Sequence, residues 1–158
     1  MVLEIERKFL VNSSDYKKQA YLTKKIKQGY LNTHKSRTVR VRIQDDKAFI
    51  TIKGKSNAAG TTRFEWEKEI DITAAEQLLL LCEPSIIDKT RFLIKNNHLT
   101  FEVDEFNGAN EGLVLAEIEL DTEDQTFDKP NWLGNEVTGD IKYYNSYISK
   151  KPFTTWNL

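Results

Sequence analysis

Cysteine is almost missing from this chain. Cys82 stands alone in 158 residues, so there is no internal disulfide and no thiolate cage for a metal. The two histidines, His34 and His98, are isolated and flanked by polar residues, which suits surface or turn positions better than metal ligation. No stretch approaches the roughly 18 apolar residues of a membrane span. The N-terminal MVLEIERKFL is charged almost at once, unlike a signal peptide. A surplus of one charge sign is absent as well: Lys and Arg number 23 against 24 Asp and Glu, a formal net charge of -1. That balance argues against a generally basic nucleic-acid binder and against an acidic disordered tail. No internal repeat or low-complexity linker divides the chain, so residues 1–158 read as a single domain, long enough for a real core. The expectation is a cytoplasmic protein with neither nucleic acid nor membrane as partner.

What is present is alternation. A period of 3.6 fits little of the chain, and a period of 2 fits most of it. In Leu3 to Leu10, Leu3, Ile5 and Phe9 point one way and Glu4, Glu6 and Lys8 the other. Similar strands are expected at 24–32, 38–43, 47–54, 61–70, 87–93, 98–106 and 113–120, giving eight. Two helices interrupt them. Thr73-Ala-Ala-Glu76 has the form of a capping box before the Leu78 to Cys82 run, which Pro84 stops. A weaker helix is expected from Ser14 to Leu22, with Ser14 or Asp15 as cap. The aromatic tail after Pro130 has enough apolar surface for one or two short helices. Trp66 and Cys82 fall among apolar positions and read as core. Asn12-Ser13-Ser14 fits a glycosylation pattern, but nothing indicates secretion. Gly54-Lys55-Ser56 lacks the upstream glycine and following helix of a phosphate-binding loop.

The polar face of these strands is unusual in its signs. Arg40 with Arg42, and Lys89 with Arg91, are purely basic; Glu102 with Asp104, and Glu117 with Glu119, are purely acidic. Same-face neighbours along a strand lie roughly 7 Å apart, so each doublet repels itself. An ordinary solvated face mixes signs. One such doublet is unremarkable, whereas sorted charge across six or more strands calls for a ligand. A polyanion satisfies the basic doublets and divalent cations the acidic ones. A barrel lined by salt bridges alone is the competing arrangement, but desolvated ion pairs rarely repay their dehydration. The charges therefore indicate a metal-complexed phosphate chain as the ligand class, without specifying a reaction.

The residues also carry a family likeness. Glu4-Ile-Glu6-Arg-Lys8 resembles the Glu-x-Glu-x-Lys signature of the CYTH superfamily, the triphosphate tunnel metalloenzymes. In order there follow QGYL at 28–31, VRVR at 39–42, TIKG at 51–54, Arg63-x-Glu65-x-Glu67, Lys89-x-Arg91, Glu102-Val-Asp104-x-Phe-x-Gly108 and Ala116-Glu117-Ile-Glu119. WLGNEVTGD and Tyr143-x-Asn145 resemble the closing segment. Lys142 and Ile148 depart from the arginine and leucine common in relatives.

The resemblance implies an α+β fold: an eight-stranded antiparallel β-barrel, or tunnel, with a few flanking helices. It implies that Lys8, Arg40, Arg42, Lys53, Arg63, Lys89 and Arg91 hold phosphate oxygens. Glu4, Glu6, Glu117 and Glu119 are expected to hold Mg2+ or Mn2+, with Glu65, Glu67, Glu102 and Asp104 as further ligands or second-layer acceptors. The expected partner is a small-molecule triphosphate, and the expected reaction is hydrolysis of inorganic tripolyphosphate to pyrophosphate and phosphate. Water activation falls either to a second metal or to Lys89, with Tyr30 as a proton relay. The competing expectations are an organic triphosphate enzyme, such as a thiamine triphosphatase or class IV adenylate cyclase, and a non-catalytic polyphosphate or nucleotide sensor.

Overall fold

β-Branched and aromatic residues at every second position suit a pleated, half-buried surface. The computed structural model describes residues 2–157 and forms nine strands among them. These are β1 (Leu3–Val11), β2 (Leu22–Asn32), β3 (Arg37–Gln44), β4 (Lys47–Gly54), β5 (Thr62–Ile70), β6 (Ile87–Asn96), β7 (Leu99–Phe106), β8 (Val114–Glu119) and β9 (Leu133–Glu136). Three helices accompany them: α1 (Tyr16–Gln19), α2 (Ile72–Leu81) and α3 (Asn145–Ile148). The expected eight strands run antiparallel in the order β5-β4-β3-β2-β6-β7-β8-β1. The sheet closes where β5 returns to β1 through Leu3↔Phe64, Glu4↔Arg63 and Ile5↔Thr62. The short β9 is additional. It pairs with β1 through Phe9↔Glu136 and Val11↔Leu133, beyond the residues that β5 covers.

Closure turns the alternation into an inside and an outside. Partners directly across the ladders share a face, and they include Glu6↔Glu119, Lys8↔Glu117, Arg40↔Thr51, Lys53↔Glu65 and Arg91↔Asp104. Much of the apolar core consequently lies outside the wall. Phe9, Phe101, Val103 and Ile118 pack with Tyr16 of α1 and with Trp132, which is 1% exposed. Val41 and Ala48 pack with Ala75 and, more loosely, Leu78 and Leu79 of α2. One end of the barrel is stoppered from within: Tyr30, Ile87, Phe106 and Leu115 meet Ile148 of α3, with Tyr143, Tyr147 and Trp156 packed behind.

Several local expectations are corrected. The cap of α2 is Asp71, whose carboxylate accepts from the Ala74 backbone N–H at 2.8 Å. Thr73 lies inside the first turn because the helix starts directly after β5. The expected Ser14 to Leu22 helix is only the single turn α1, because Leu22 is already claimed by β2 and pairs with Leu93. Leu80 and Leu81 are exposed, since α2 buries one stripe only. Trp66 is 44% exposed at the open end of the barrel rather than in the core. The helix α2 packs on β2, β3 and β4, leaving that part of β5 uncovered. No helix among the described residues is long and apolar enough to cross a membrane.

Replacing Trp132 leaves a large hole against Tyr16 and Phe101, whose rings it meets edge-on at 5.9 and 5.2 Å. Trp132→Ala is expected to cost about 3–5 kcal/mol in urea unfolding. Asp71→Ala, which removes one helix cap, is expected to cost about 1 kcal/mol.

Candidate active site

The stoppered barrel leaves a cavity of about 590 Å³, open at the end opposite the apolar floor. Eight Lys and Arg side chains and seven Glu side chains line it. Every expected phosphate-binding residue is among them: Lys8, Arg40, Arg42, Lys53, Arg63, Lys89 and Arg91. So are Glu4, Glu6, Glu65, Glu67, Glu102, Glu117 and Glu119. Asp104 is the exception. It is 2% exposed and sits behind the lining, where its carboxylate accepts from Arg91 through Nε and Nη2 at 2.7 and 2.9 Å and pairs with Lys89 Nζ at 2.8 Å. With both oxygens engaged, it serves as an acceptor for the two bases, not as a cavity ligand.

The signs remain sorted in space. β1 and β8 form an acidic wall of Glu4, Glu6, Glu117 and Glu119; β3 and β6 form a basic wall of Arg40, Arg42, Lys89 and Arg91. Some charges cancel locally. Lys53 donates to Glu4 at 2.6 Å, Arg91 to Glu102 at 2.7 Å, and Lys8 lies 3.7 Å from Glu117. Others do not. Arg42 has no carboxylate in salt-bridge range among the described residues; its Nε donates to the neutral Gln28 Oε1 at 2.8 Å. Burial, with Arg40 and Arg91 beside it, pushes the Arg42 guanidinium down to about 9. The buried Nε of Arg40 has no hydrogen-bond partner. Arg40 itself reaches Glu67 at 3.5 Å and donates to Thr51 at 3.1 Å, so the basic surplus is Arg42 together with the unmatched Nε edge of Arg40, which suits a ligand of opposite charge.

Across the cavity stands an acidic surplus. Burial, then Glu117 and Glu4, raise the Glu6 carboxyl well above the usual range, and Glu6 hydrogen-bonds to Glu117. Burial also opposes ionisation of Glu117, but Lys8, the Glu6 hydrogen bond and Arg91 outweigh it and keep Glu117 ionised. Glu6 therefore holds its proton more tightly than Glu117 does. Burial and the charges of Glu4 and Glu102 likewise raise Glu119. Oxygen donors that hold a proton only for want of a countercharge fit a hard divalent cation. No ready-made cage of three His, Cys, Asp or Glu exists among the described residues.

Lys89 sits at the base of the basic wall, 1% exposed. Burial pushes its ammonium down to about 7 against the pull of Asp104, with Arg91 and Arg42 adding to the fall. Tyr30 lines the cavity from the apolar floor; no hydrogen bond joins it to Lys89 among the described contacts. Lys142 stacks on Trp156, 4.3 Å from its ring centre, and does not line the cavity. His34 and His98 are exposed in turns and the half-buried Cys82 ends α2, all away from the cavity.

Sequence reasoning missed the uncharged lining. Lys8 Nζ donates to the Tyr143 carbonyl at 3.1 Å, and the Tyr144 ring lies 5.0 Å from Lys8 and 5.7 Å from Arg63. Asn145 and Gln28 also reach the floor. The available signals were Gln28, on the same face of β2 as the expected Tyr30, and the Tyr143-x-Asn145 motif of the tail.

A family model, that of the CYTH domain, matches residues 3–149. The chain belongs to the CYTH family. An inorganic triphosphatase of Acetivibrio thermocellus is 46% identical over 153 residues, covering 95% of each chain. One of Nitrosomonas europaea is 37% identical over 150 residues, covering 92% of this chain and 96% of that protein. The crystal structure of the inorganic triphosphatase NE1496 superposes with a TM-score of 0.64 at 35% identity, over 94% of this chain and 95% of that one. This CYTH chain thus shares its fold with that solved structure.

The raised Glu6 carboxyl has a measurable consequence. The folded state binds a proton that the unfolded chain releases at the ordinary carboxyl value of 4.5, so stability falls as pH rises from there through the raised value. In chelator, Glu6→Gln is expected to melt above the wild type from about pH 6 to about pH 8, with the gain vanishing near about pH 4. Millimolar Mg2+ is expected to raise the wild-type melting temperature more than that of the variant. Differential scanning calorimetry with and without chelator reads both.

Proposed function

We propose that this CYTH chain is a metal-dependent inorganic triphosphatase that hydrolyses tripolyphosphate to pyrophosphate and phosphate. The observation that carries the reading is a pair of unmatched deficits, Arg42 with the unpartnered Nε of Arg40 on one wall and the Glu6 carboxyl beside Glu117 on the other, facing one cavity of about 590 Å³. A triphosphate complexed with a divalent cation neutralises both at once. The names of the two relatives and of the solved structure support the same reading.

In this reading Arg40, Arg42, Arg63 and Arg91 grip phosphate oxygens with their planar forks, while Lys8 and Lys53 add point charges. Glu4, Glu6, Glu117 and Glu119 would hold Mg2+ or Mn2+, and Glu65, Glu67 and Glu102 lie close enough to the rim to accept from bound water. When bound, the cation supplies charge neutralisation on the phosphate oxygens. Phosphoryl transfer mostly asks for positioning and for countercharge on the equatorial oxygens. The remaining need is a base for the attacking water. Lys89 fits it, because desolvation holds a share of the amine neutral near pH 7. Tyr30, beside the floor, orients water or a phosphate oxygen.

A second reading, turnover of a nucleoside triphosphate, is favoured by Trp66 and Val2, exposed at the open end where a base would stack. Phosphate release from tripolyphosphate, ATP and thiamine triphosphate, with and without chelator, separates the two. The expected result is highest kcat/KM on tripolyphosphate and no turnover in chelator; a preference for ATP of about tenfold or more establishes the second reading. Binding of tripolyphosphate with no phosphate released over hours, at any Mg2+ or Mn2+ concentration, makes the protein a sensor instead.

Single-turnover rates test the base. Lys89→Ala is expected to slow the chemical step by about 10²–10⁴-fold. Glu117→Gln is expected to weaken the response to Mg2+. The wild-type rate is expected to rise through pH about 7 as the Lys89 amine is freed, a limb that Lys89→Ala lacks. Full turnover in Lys89→Ala removes the lysine from this role.

A further inference from the structure

The floor of the cavity holds a chain of hydrogen bonds in which every amide has only one possible orientation. Arg42 Nε, which can only donate, gives to Gln28 Oε1 at 2.8 Å. Gln28 must therefore turn its amino group the other way, and Nε2 donates to Asn145 Oδ1 at 2.8 Å. The same Oδ1 accepts from Lys89 Nζ at 2.9 Å. Asp104 Oδ2 forms an ion pair with Nζ at 2.8 Å. Nζ therefore lies between a carboxylate on β7 and an amide oxygen on α3, and Lys89 lines the cavity.

We propose that Asn145 is a positioning residue: its side-chain oxygen, oriented by Arg42 through Gln28, accepts a hydrogen bond from the Lys89 amine and holds it in place for the substrate. The inference rests on the reading of Lys89 as a group that meets the triphosphate. The ion pair with Asp104 supplies charge; the directed hydrogen bond to a different element supplies orientation. The orienting group also comes from an unexpected place. Asn145 opens α3 in the C-terminal segment, 56 residues from Lys89 in sequence. Ile148 is fully buried in the floor, and the Asn145 side-chain oxygen accepts from Gln28 and Lys89 on the barrel wall. The amide is therefore spent on the cavity.

A double-mutant cycle on kcat/KM for tripolyphosphate tests the coupling. Asn145→Ala is expected to lower kcat/KM by about tenfold or more, yet by less than about twofold when Lys89 is already alanine, because the residue acts through that amine. Asn145→Asp keeps an acceptor oxygen in the same place and is expected to restore most of kcat, with a higher KM from the extra negative charge near a polyanion. Asp71→Ala, which removes the cap of α2 on the outer face of the barrel, is expected to lower the melting temperature and leave kcat within about twofold. Multiplying effects of Asn145→Ala and Lys89→Ala overturn the proposal, as does Asn145→Asp behaving no better in kcat than Asn145→Ala. Should the wild type release no phosphate, the triphosphatase reading fails separately. The same cycle is then read on tripolyphosphate affinity by calorimetry in chelator, where additive losses reject the coupling and non-additive losses sustain it.

Discussion

Ions removed from water must be neutralised where they sit, and most of this structure follows from that constraint. A single-layered wall encloses the charges of eight strands in a small volume, where desolvation of each unpaired ion costs several kcal/mol. Part of the problem is solved internally. Asp104 draws in Arg91 and Lys89, and Arg91 reaches on to Glu102. The remainder is left divided, positive on Arg42 and the unpartnered edge of Arg40 and negative around the hydrogen-bonded Glu6 and Glu117. A structure optimised for stability alone would bring those groups together. Held apart across a cavity, they make a site whose two deficits are filled by an anion and a cation arriving together.

This use of the interior displaces the usual hydrophobic core. Apolar residues gather on the outer surface of the wall, beneath α1 and α2 and around Trp132, so stability and function occupy opposite faces of the same strands. Period-2 alternation allows this, since each residue that packs outward has a neighbour that faces the cavity. Only at one end does apolar packing enter the barrel, where Ile148 and its neighbours form the floor. That floor limits the depth to which a phosphate chain can travel and brings Tyr144 and Asn145 against the bases. The last quarter of the chain, which contributes little to the closed sheet, therefore shapes the site.

Strand existence and facing were legible because alternation is a local property. Glu4, Glu6 and Lys8 separate from Leu3, Ile5 and Phe9 whatever the rest of the chain does. Where the expectations erred, a neighbour decided. Trp66 follows the apolar pattern but lacks a covering helix, because α2 lies over β2 to β4. The Ser14 to Leu22 segment has helical character, yet ladder pairing with β6 claims its end. Asp104 matches its acidic companions in sequence but falls on a level where Arg91 and Lys89 consume it. Gln28 and Asn145 carry no charge and so gave little sign of their place in the site.

By itself the amino-acid order determined which side chains share a face and that the faces are sorted by sign, since the period of the strand and the identity of the residues require nothing more. It also carried the family likeness, and with it the barrel. Only the tertiary structure decided which charges cancel and which remain, because that depends on ladder register and on distances between strands far apart in the chain. The same holds for the floor and its amides: a hydrogen bond between Asn145 and Lys89 exists only once the tail has folded across the end of a closed barrel.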